Sequence, residues 1–184
     1  MNVKDTIEKR RAYRSLEPVK ITEEIINDLA HESQLAPSCF NNQPWQYVFV
    51  YEQAMLKKMH VALAPGNEWA QAGSMIIAVL GKKEADCAMK DGREYYHFDI
   101  GMATAHMILR ATELGLVAHP IAGYSPRKTR EILGIPEDLD VITLVIVGKH
   151  SDKIGKLLSE KQAEAEKDRP ARKPLKDFIH LNKY

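Results

Sequence analysis

The chain has 184 residues, of which 45% are hydrophobic and 28% charged, so we expect one globular domain over residues 1–184. Its 26 basic and 25 acidic residues give a net charge of +1, which excludes a broad basic surface for nucleic acid or anionic lipid. The opening Met-Asn-Val-Lys-Asp-Thr has no apolar run, and no window approaches the ~18 apolar residues of a membrane span. We therefore expect a cytoplasmic protein with no membrane partner.

The first elements along the chain read as two helices. Val3 and Ile7 lie four residues apart, which predicts a short amphipathic helix over residues 3–10. Thr22 is followed by two glutamates, a capping pattern that begins a second helix. Pro37 marks the end of that helix.

Between these helices lies an arginine-rich segment. If the backbone is extended there, Arg10, Ala12 and Arg14 face one side, whereas Arg11 and Tyr13 face the other. Two guanidinium groups on one side suit a phosphate, which accepts paired, charge-assisted hydrogen bonds. A solvated basic turn is the alternative interpretation.

An amide-rich loop, defined here as residues 36–44, joins the second helix to a strand; with Trp45 it reads Ala-Pro-Ser-Cys-Phe-Asn-Asn-Gln-Pro-Trp. Its prolines favour extended conformations at Ala36 and Gln43. The polar groups could bind a flat heterocycle, or the loop could be a helix cap that leads into a turn. Cys39 and Cys87 match no metal or redox spacing, and a disulfide between them is left open.

The remaining pattern predicts a sheet of about four strands, at residues 46–51, 75–80, 116–121 and 141–148. Gly81 is expected to end the second strand. Helices are predicted at residues 52–63, from Ser125 and Pro126 to Gly134, and at 151–167. Residues 82–94 are polar and are expected to form a mobile surface segment.

The longest predicted helix, residues 95–114, is apolar on two opposed faces. One face carries Phe98, Met102, Ala105 and Leu109, and the other carries Ile100, Ala103, Met107, Ala111 and Leu114. Such a helix must be covered twice, either within a large monomer core or by a second subunit. His106 lies on the narrow polar stripe and is expected to be a surface histidine. His119 is expected to be a histidine of the sheet rather than a catalytic group.

Five segments, in this order along the chain, together resemble the nitroreductase family of FMN-dependent oxidoreductases. They are Arg-Arg-Ala-Tyr-Arg at 10–14, the amide-rich loop with Trp45, Glu-Leu-Gly-Leu at 113–116, Pro-Ile-Ala-Gly-Tyr at 120–124, and Arg-Pro-Ala-Arg-Lys-Pro-Leu at 169–175. The resemblance covers nearly all of the chain. It implies an α+β nitroreductase-like fold, a mostly antiparallel sheet flanked by helices, and an intertwined homodimer with FMN at the interface.

The resemblance also assigns cofactor-binding roles. It assigns the phosphate and ribityl chain to Arg10 and Arg14, and it includes Arg11 and the backbone of Ala12 among the cofactor-binding residues. Arg172, and after it Arg169, is the candidate to close over the phosphate. The flavin ring system is expected to contact two groups of residues. One group is Pro120, Ile121, Ala122 and Gly123, and the other, from the loop of the partner subunit, is Pro37, Ser38, Cys39, Asn41 and Gln43. The family commonly has serine where Ala12 stands, glutamate or glycine where Ala122 stands, and serine where Cys39 stands. Cys39 is interpreted as an inert small residue or as a weak donor toward the flavin.

No G-x-G-x-x-G fingerprint or Walker loop is present, so the nicotinamide is expected to bind transiently. By resemblance, the expected activity is hydride transfer from NADH or NADPH to flavin N5, followed by reduction of a nitro compound, quinone or similar small acceptor in a ping-pong cycle. No catalytic side chain is assigned. The alternatives are another flavin reaction of the family, such as dehalogenation, flavin fragmentation or dehydrogenation, or a non-catalytic FMN-binding protein.

Overall fold

The computed structural model describes residues 2–184. Its helices are α1 (Val3–Lys9), α2 (Glu23–Gln34), α3 (Gln53–Met59), α4 (Tyr96–Glu113), α5 (Pro126–Leu133) and α6 (Glu160–Lys167). Its strands are β1 (Leu16–Glu17), β2 (Trp45–Val50), β3 (Met75–Lys82), β4 (Leu116–Ile121) and β5 (Leu139–His150). The chain is therefore an α+β protein, with one more short strand than the sequence pattern predicts.

The sheet is antiparallel throughout and is organised around β5. Leu144 pairs with Ala78 of β3 on one edge and with Ile121 of β4 on the other. Strand β2 pairs with the far edge of β3, so the sheet runs β4-β5-β3-β2. The two residues of β1 pair with the end of β5, where Leu16 lies opposite His150.

Hydrophobic clusters cover both faces of the sheet. Strand β3 is buried along almost its whole length, as its unbroken apolar run predicts. On one face, Ile77 and Val79 pack with α2 and α4; on the other, Ile76 and Ala78 pack with α3 and Trp69. The sheet is the middle layer, and the segments that carry the candidate site leave it at its edges.

Local capping signals specify the helix starts. The Thr22 hydroxyl accepts a hydrogen bond from the backbone N–H of Ile25, and the Ser125 hydroxyl accepts one from Lys128 with Pro126 at the first helical position. Helix α5 ends at Gly134 in the left-handed conformation. These predictions are confirmed.

Several predicted boundaries are wrong. Gly81 does not end β3, which continues to Lys82. It is covered by α4 so closely that an added Cβ would lie 2.7 Å from Ile100 Cδ1 and 2.8 Å from Tyr96 Cε2. Only glycine fits between this strand and the helix. The helix predicted at 52–63 becomes a 3₁₀ turn after Met59, and the one predicted at 151–167 begins only at Glu160.

Helix α4 places its two apolar faces in different surroundings. Ile100, Ala103 and Met107 are fully buried against the sheet. Phe98 on the opposite face is 57% exposed, and its neighbours on that face are not fully buried. His106 is exposed, as predicted. Within residues 2–184, the sheet and α2 cover the buried face of the helix, whereas the face with Phe98 stays partly exposed.

None of the helices among residues 2–184 is both long enough and apolar enough to cross a lipid bilayer.

Candidate functional site

The first part of the site is the arginine cluster, defined as Arg10, Arg14, Arg169 and Arg172. Burial lowers the pKa of the Arg10 guanidinium, and the nearby positive charges of Arg169 and Arg172 lower it further. Across residues 2–184, the arginines that form ion pairs are Arg93, Arg110, Arg127 and Arg130, and none belongs to the cluster. Converging like charges without carboxylate partners form a site that favours an anion.

His119 and Trp69 lie against this cluster. The guanidinium carbon of Arg14 is 5.9 Å from the centre of the Trp69 ring. The centres of the Trp69 and His119 rings are 4.6 Å apart. His119 Nδ1 is 3.0 Å from the carbonyl oxygen of Tyr13. Burial lowers the pKa of His119, and this effect, with the charges of Arg14 and Arg10, outweighs the hydrogen bond to Tyr13 and the charge of Glu166, which act in the opposite direction. His119 is thus a buried sheet histidine that connects β4 to the arginine segment.

Arg11 and Glu166 anchor the C-terminal helix beside the cluster. Arg11 Nη2 donates to the carbonyl oxygens of Ala165 at 2.9 Å and Glu166 at 2.8 Å, and its guanidinium lies 4.6 Å from the centre of the Tyr13 ring. The buried Glu166 carboxylate accepts from the backbone N–H groups of Arg14 at 3.0 Å and Ser15 at 2.9 Å. The structure therefore gives Arg11 a holding contact on α6, and its direct contact with a cofactor stays a prediction.

The C-terminal arginines close the arrangement from the other side. Arg169 Nη2 donates to the carbonyl oxygen of Arg10 at 2.8 Å, and Arg172 Nη1 donates to that of Pro170 at 2.9 Å. Both side chains are exposed, and Ala12 is partly exposed between the two arginines of the segment. The N-terminal arginine segment and the C-terminal segment thus meet at the cluster, although more than 150 residues separate them in sequence.

The second part of the site is the turn that follows β4. Pro120 and Ala122 are exposed, whereas Ile121 between them is buried. The carbonyl oxygen of Gly123 accepts from the backbone N–H of Ala64 at 3.0 Å and from Asn67 Nδ2 at 2.8 Å. A Cβ at Gly123 would clash with Asn67 Nδ2. Position 123 therefore requires glycine because of its close contact with Asn67 of the same chain.

The amide-rich loop is the third part, and it adopts strained backbone angles. Phe40, Asn41 and Gln43 have φ of 50°, 57° and 48°, in the left-handed region that few residues other than glycine adopt. The prediction of an extended Gln43 is wrong. Its backbone N–H donates to Ser38 Oγ at 3.0 Å and its Nε2 donates to the Asn41 carbonyl, and these bonds stabilise the turn. Pro37, Asn41 and Gln43 are exposed, as a ligand contact requires.

Cys39 is not an isolated small residue. It forms a disulfide with Cys87, with a Cα–Cα distance of 5.9 Å. Its backbone N–H donates to Asp99 Oδ2 at 3.0 Å. The interpretation of Cys39 as an inert side chain or a weak thiol donor is therefore corrected, because its sulfur is bonded.

The three parts do not converge within one chain. The arginine cluster meets β4 through His119, and the second part directly follows β4. The amide-rich loop precedes β2, which is separated from β4 by β5 and β3. With about 4.8 Å between neighbouring strands, β4 and β2 lie about 14 Å apart. No hydrogen bond or ring contact within the described residues joins the loop to residues 10–14 or 120–123.

Sequence reasoning missed three residues that shape the site, Asn67, Trp69 and Glu166, and it left the Cys39–Cys87 disulfide open. Glu166 lies in a helix whose other residues are mostly charged or polar, so no local pattern distinguishes it. Asp99, which is buried and accepts from the backbone of Cys39, is not identified by the sequence analysis either. A buried acid in the first turn of an otherwise apolar helix is the signal that could have identified it.

An antiparallel sheet between helices, with an anion-favouring cluster beside β4, defines a protein of the nitroreductase fold. A nitroreductase family protein of Clostridium difficile has 25% identity, covers each chain completely and superposes with a TM-score of 0.82. An oxidoreductase structure described as containing FMN has 25% identity and a TM-score of 0.86, covering 100% of this chain and 93% of its own.

The sequence comparisons identify the family. The model of the Nitroreductase family matches residues 7–149. An Archaeoglobus fulgidus protein with the provisional name NADH dehydrogenase/NAD(P)H nitroreductase is 32% identical over 148 residues, which cover 78% of this chain and 82% of that protein. This chain belongs to the Nitroreductase family, and its relatives are oxidoreductases. The expected family and fold are confirmed.

Proposed function

We propose that this protein is an FMN-dependent oxidoreductase that takes hydride from NADH or NADPH and reduces a nitro compound, a quinone or a similar small acceptor. The arginine cluster carries the proposal, because four guanidinium groups without carboxylate partners suit a phosphomonoester. Support comes from the relative named for NAD(P)H and from the solved relative that contains FMN.

In this proposal, Arg10 and Arg14 bind the phosphate from below, and Arg172 and Arg169 close over it. Arg11 and Glu166 act indirectly by fixing α6 and the backbone of Arg14. Ala12 offers only its backbone to the ligand. A phosphate here would relieve the repulsion among the guanidinium groups.

The end of β4 and the turn after it position the ring system. Pro120, Ile121, Ala122 and Gly123 present backbone rather than charged side chains, and the contact between Gly123 and Asn67 holds that backbone in place. When bound, FMN supplies the atom that accepts hydride and the capacity to pass on two electrons. The chain therefore needs no acid or base for the first step, and fixed backbone dipoles are sufficient.

The amide-rich loop completes the site from a second copy of the chain. Its residues Pro37, Ser38, Asn41 and Gln43 are about two strands away from β4 in their own chain. A homodimer that brings the loop of one copy to β4 of the other would unite the three parts. Nicotinamide and acceptor would then bind by turns between loop and flavin.

The first test is the visible spectrum of the protein after incubation with FMN and removal of free flavin. Flavin bands that bleach when NADH or NADPH is added anaerobically, and return with a nitroaromatic or quinone, support the whole proposal. Bands that persist with both nucleotides support the non-catalytic FMN-binding alternative, which the Ala12 and Ala122 departures make worth testing. A protein that takes up no FMN contradicts both.

The phosphate assignment predicts that Arg14→Ala weakens FMN binding by about 10- to 100-fold, because a hydrogen bond to a charged group contributes roughly 1.5–3 kcal/mol. Arg127→Ala is the matched control, since Arg127 is exposed and, among residues 2–184, forms its ion pair with Glu131 on α5 alone. Equilibrium dialysis measures both dissociation constants. Equal constants for the two variants would remove the phosphate assignment.

A further inference from the structure

The disulfide joins two segments that are remote in sequence and lie outside the two hydrophobic clusters that cover the sheet. Cys39 is in the amide-rich loop, and Cys87 is in the β3–α4 connection, defined as residues 83–95. The two cysteines are 48 residues apart. Cys87 is 4% exposed and Cys39 is partly exposed, so Cys39 is the more exposed residue of the pair.

The disulfide ties the connection to the amide-rich loop. Among the described residues, the hydrogen bonds of residues 86–94 all stay within the connection, such as Asp86 to Lys83, Gly92 to Met89 and Arg93 to Asp91. The ion pair between Lys83 and Glu94 is also internal, and Glu94 makes one further exposed ion pair, with His97 at the start of α4. Without the bond to Cys39, this segment would keep few constraints.

The loop, in contrast, has other restraints. Asp99 accepts the backbone N–H of Cys39, and Ser38 accepts that of Gln43. Neither Cys39 nor Cys87 belongs to the hydrophobic clusters that cover the sheet. A chain of this length buries a core without cross-links, so opening the disulfide would leave the fold intact and release mainly the connection.

A cavity of about 540 Å³ lies between the two segments. The disulfide forms part of its wall, together with Met89, Phe98, Asp99 and Met102. Asp99 is 1% exposed, and its Oδ1 has no partner within the described residues. The cavity adjoins the loop expected to face the flavin, so the position of the connection determines its shape.

We infer that Cys39 and Cys87 form a reversible thiol–disulfide modification site that couples the redox state of small dithiols to the position of the β3–α4 connection. A thiolate of the dithiol attacks the sulfur of Cys39, the more exposed residue of the pair. The bond between the cysteine sulfurs breaks, a mixed disulfide forms at Cys39, and Cys87 leaves as a thiolate that takes a proton.

The second thiol of the same molecule then attacks its own sulfur in the mixed disulfide and releases Cys39 as a thiol. Two electrons and two protons pass from the dithiol to the cysteine pair, and the dithiol becomes a cyclic disulfide. An excess of a small disulfide such as oxidised glutathione reverses the reaction. This inference goes beyond the proposed flavin chemistry and needs no bound cofactor.

The chemical test is a thiol count on the whole protein. The protein is equilibrated with dithiothreitol or with oxidised glutathione, denatured in iodoacetamide and weighed by mass spectrometry. We expect two alkylated cysteines after dithiothreitol and none after reoxidation, with no added glutathione mass. Free or glutathione-bound cysteines in the oxidised sample would overturn the inference.

The conformational test is limited trypsin digestion, because Lys90 and Arg93 lie in the connection. We expect cleavage there to be on the order of tenfold faster in reduced than in oxidised protein, since an untied segment opens more often. Cys39→Ser and Cys87→Ser should both be cleaved at the reduced rate with or without dithiothreitol. Cleavage after Lys176, in the exposed C-terminal segment, is the internal control. Equal rates at Lys90 and Arg93 in both states would overturn the inference.

Discussion

At the scale of single residues, the site depends on charges held close to one another without neutralising partners. Arg10 is partly buried beside Arg169 and Arg172, and His119 is buried beside Arg10 and Arg14. Both pKa values are therefore lowered. Such an arrangement costs stability, and we predict that a bound anion would offset that cost.

The lowered pKa of His119 predicts a pH dependence of stability. The unfolded chain takes up a proton near the ordinary value of 6.5, whereas the folded protein resists it. The unfolded state therefore binds more protons in this range, and the free energy of unfolding should fall as the pH drops below about 6.5. Urea unfolding at a series of pH values measures the slope.

His119→Gln should make that slope shallower. His60 also has a pKa lowered by burial, so His60→Gln is the control for a second histidine that acts in the same direction away from the cluster. If the His119 variant kept the full slope, the placement of a neutral His119 beside the arginines would be contradicted.

At the scale of elements, α6 is attached by polar contacts rather than by an apolar face, with Gln162 donating to the Gly66 carbonyl at its start. Glu166 accepts two backbone N–H groups of the arginine segment, and Arg11 donates to carbonyl oxygens at the end of the helix. Ser159 begins the helix with a capping box. The helix thereby connects the C-terminal arginines to Arg14, so its attachment should affect ligand binding as well as stability.

We predict that Glu166→Ala lowers the free energy of unfolding by about 2–4 kcal/mol, because two buried N–H groups lose a charged acceptor. FMN affinity should fall with it. Glu164→Ala on the same helix removes only an exposed ion pair with Lys167 and should change both quantities little. For each variant, chemical denaturation measures the free energy of unfolding and flavin titration measures the FMN affinity. A Glu166 variant as stable as the Glu164 variant would show that α6 is not held this way.

At the scale of the whole molecule, two observations support an assembly of two copies. The outer face of α4 exposes Phe98 and leaves Met102 and Leu109 incompletely covered. Two strands, β5 and β3, lie between the strand that follows the amide-rich loop and β4, with which the loop is expected to share a ligand. A second copy of the chain could both cover the outer face of α4 and complete the site.

We therefore predict a mass in solution twice the 20.8 kDa of the chain, measured by sedimentation. Leu109→Glu on the outer face of α4 should shift the protein toward monomer and release FMN in parallel. Val61→Glu, at an exposed apolar residue outside α4, is the control and should leave both unchanged. A monomeric wild-type protein that still binds FMN would contradict the dimer proposal.

The sequence by itself determined the elements and the order of the motifs. Capping residues such as Thr22 and Ser125, and the unbroken apolar run of β3, act over a few residues, so their meaning can be read locally. The alternation of side chains along an extended segment, which places Arg11 on the same side as Tyr13, is also a local pattern. The family resemblance rested on short motifs of this kind, and for that reason the predicted fold and family are confirmed.

Only the tertiary structure decided the contacts between remote segments. The Cys39–Cys87 bond, the hold of Glu166 on Arg14, and the cover that α4 places over Gly81 each join residues brought together by the sheet. The left-handed Gln43 follows from hydrogen bonds that overrule the preference set by the next proline. Local patterns cannot encode such features, because their energies depend on partners that only the folded chain supplies.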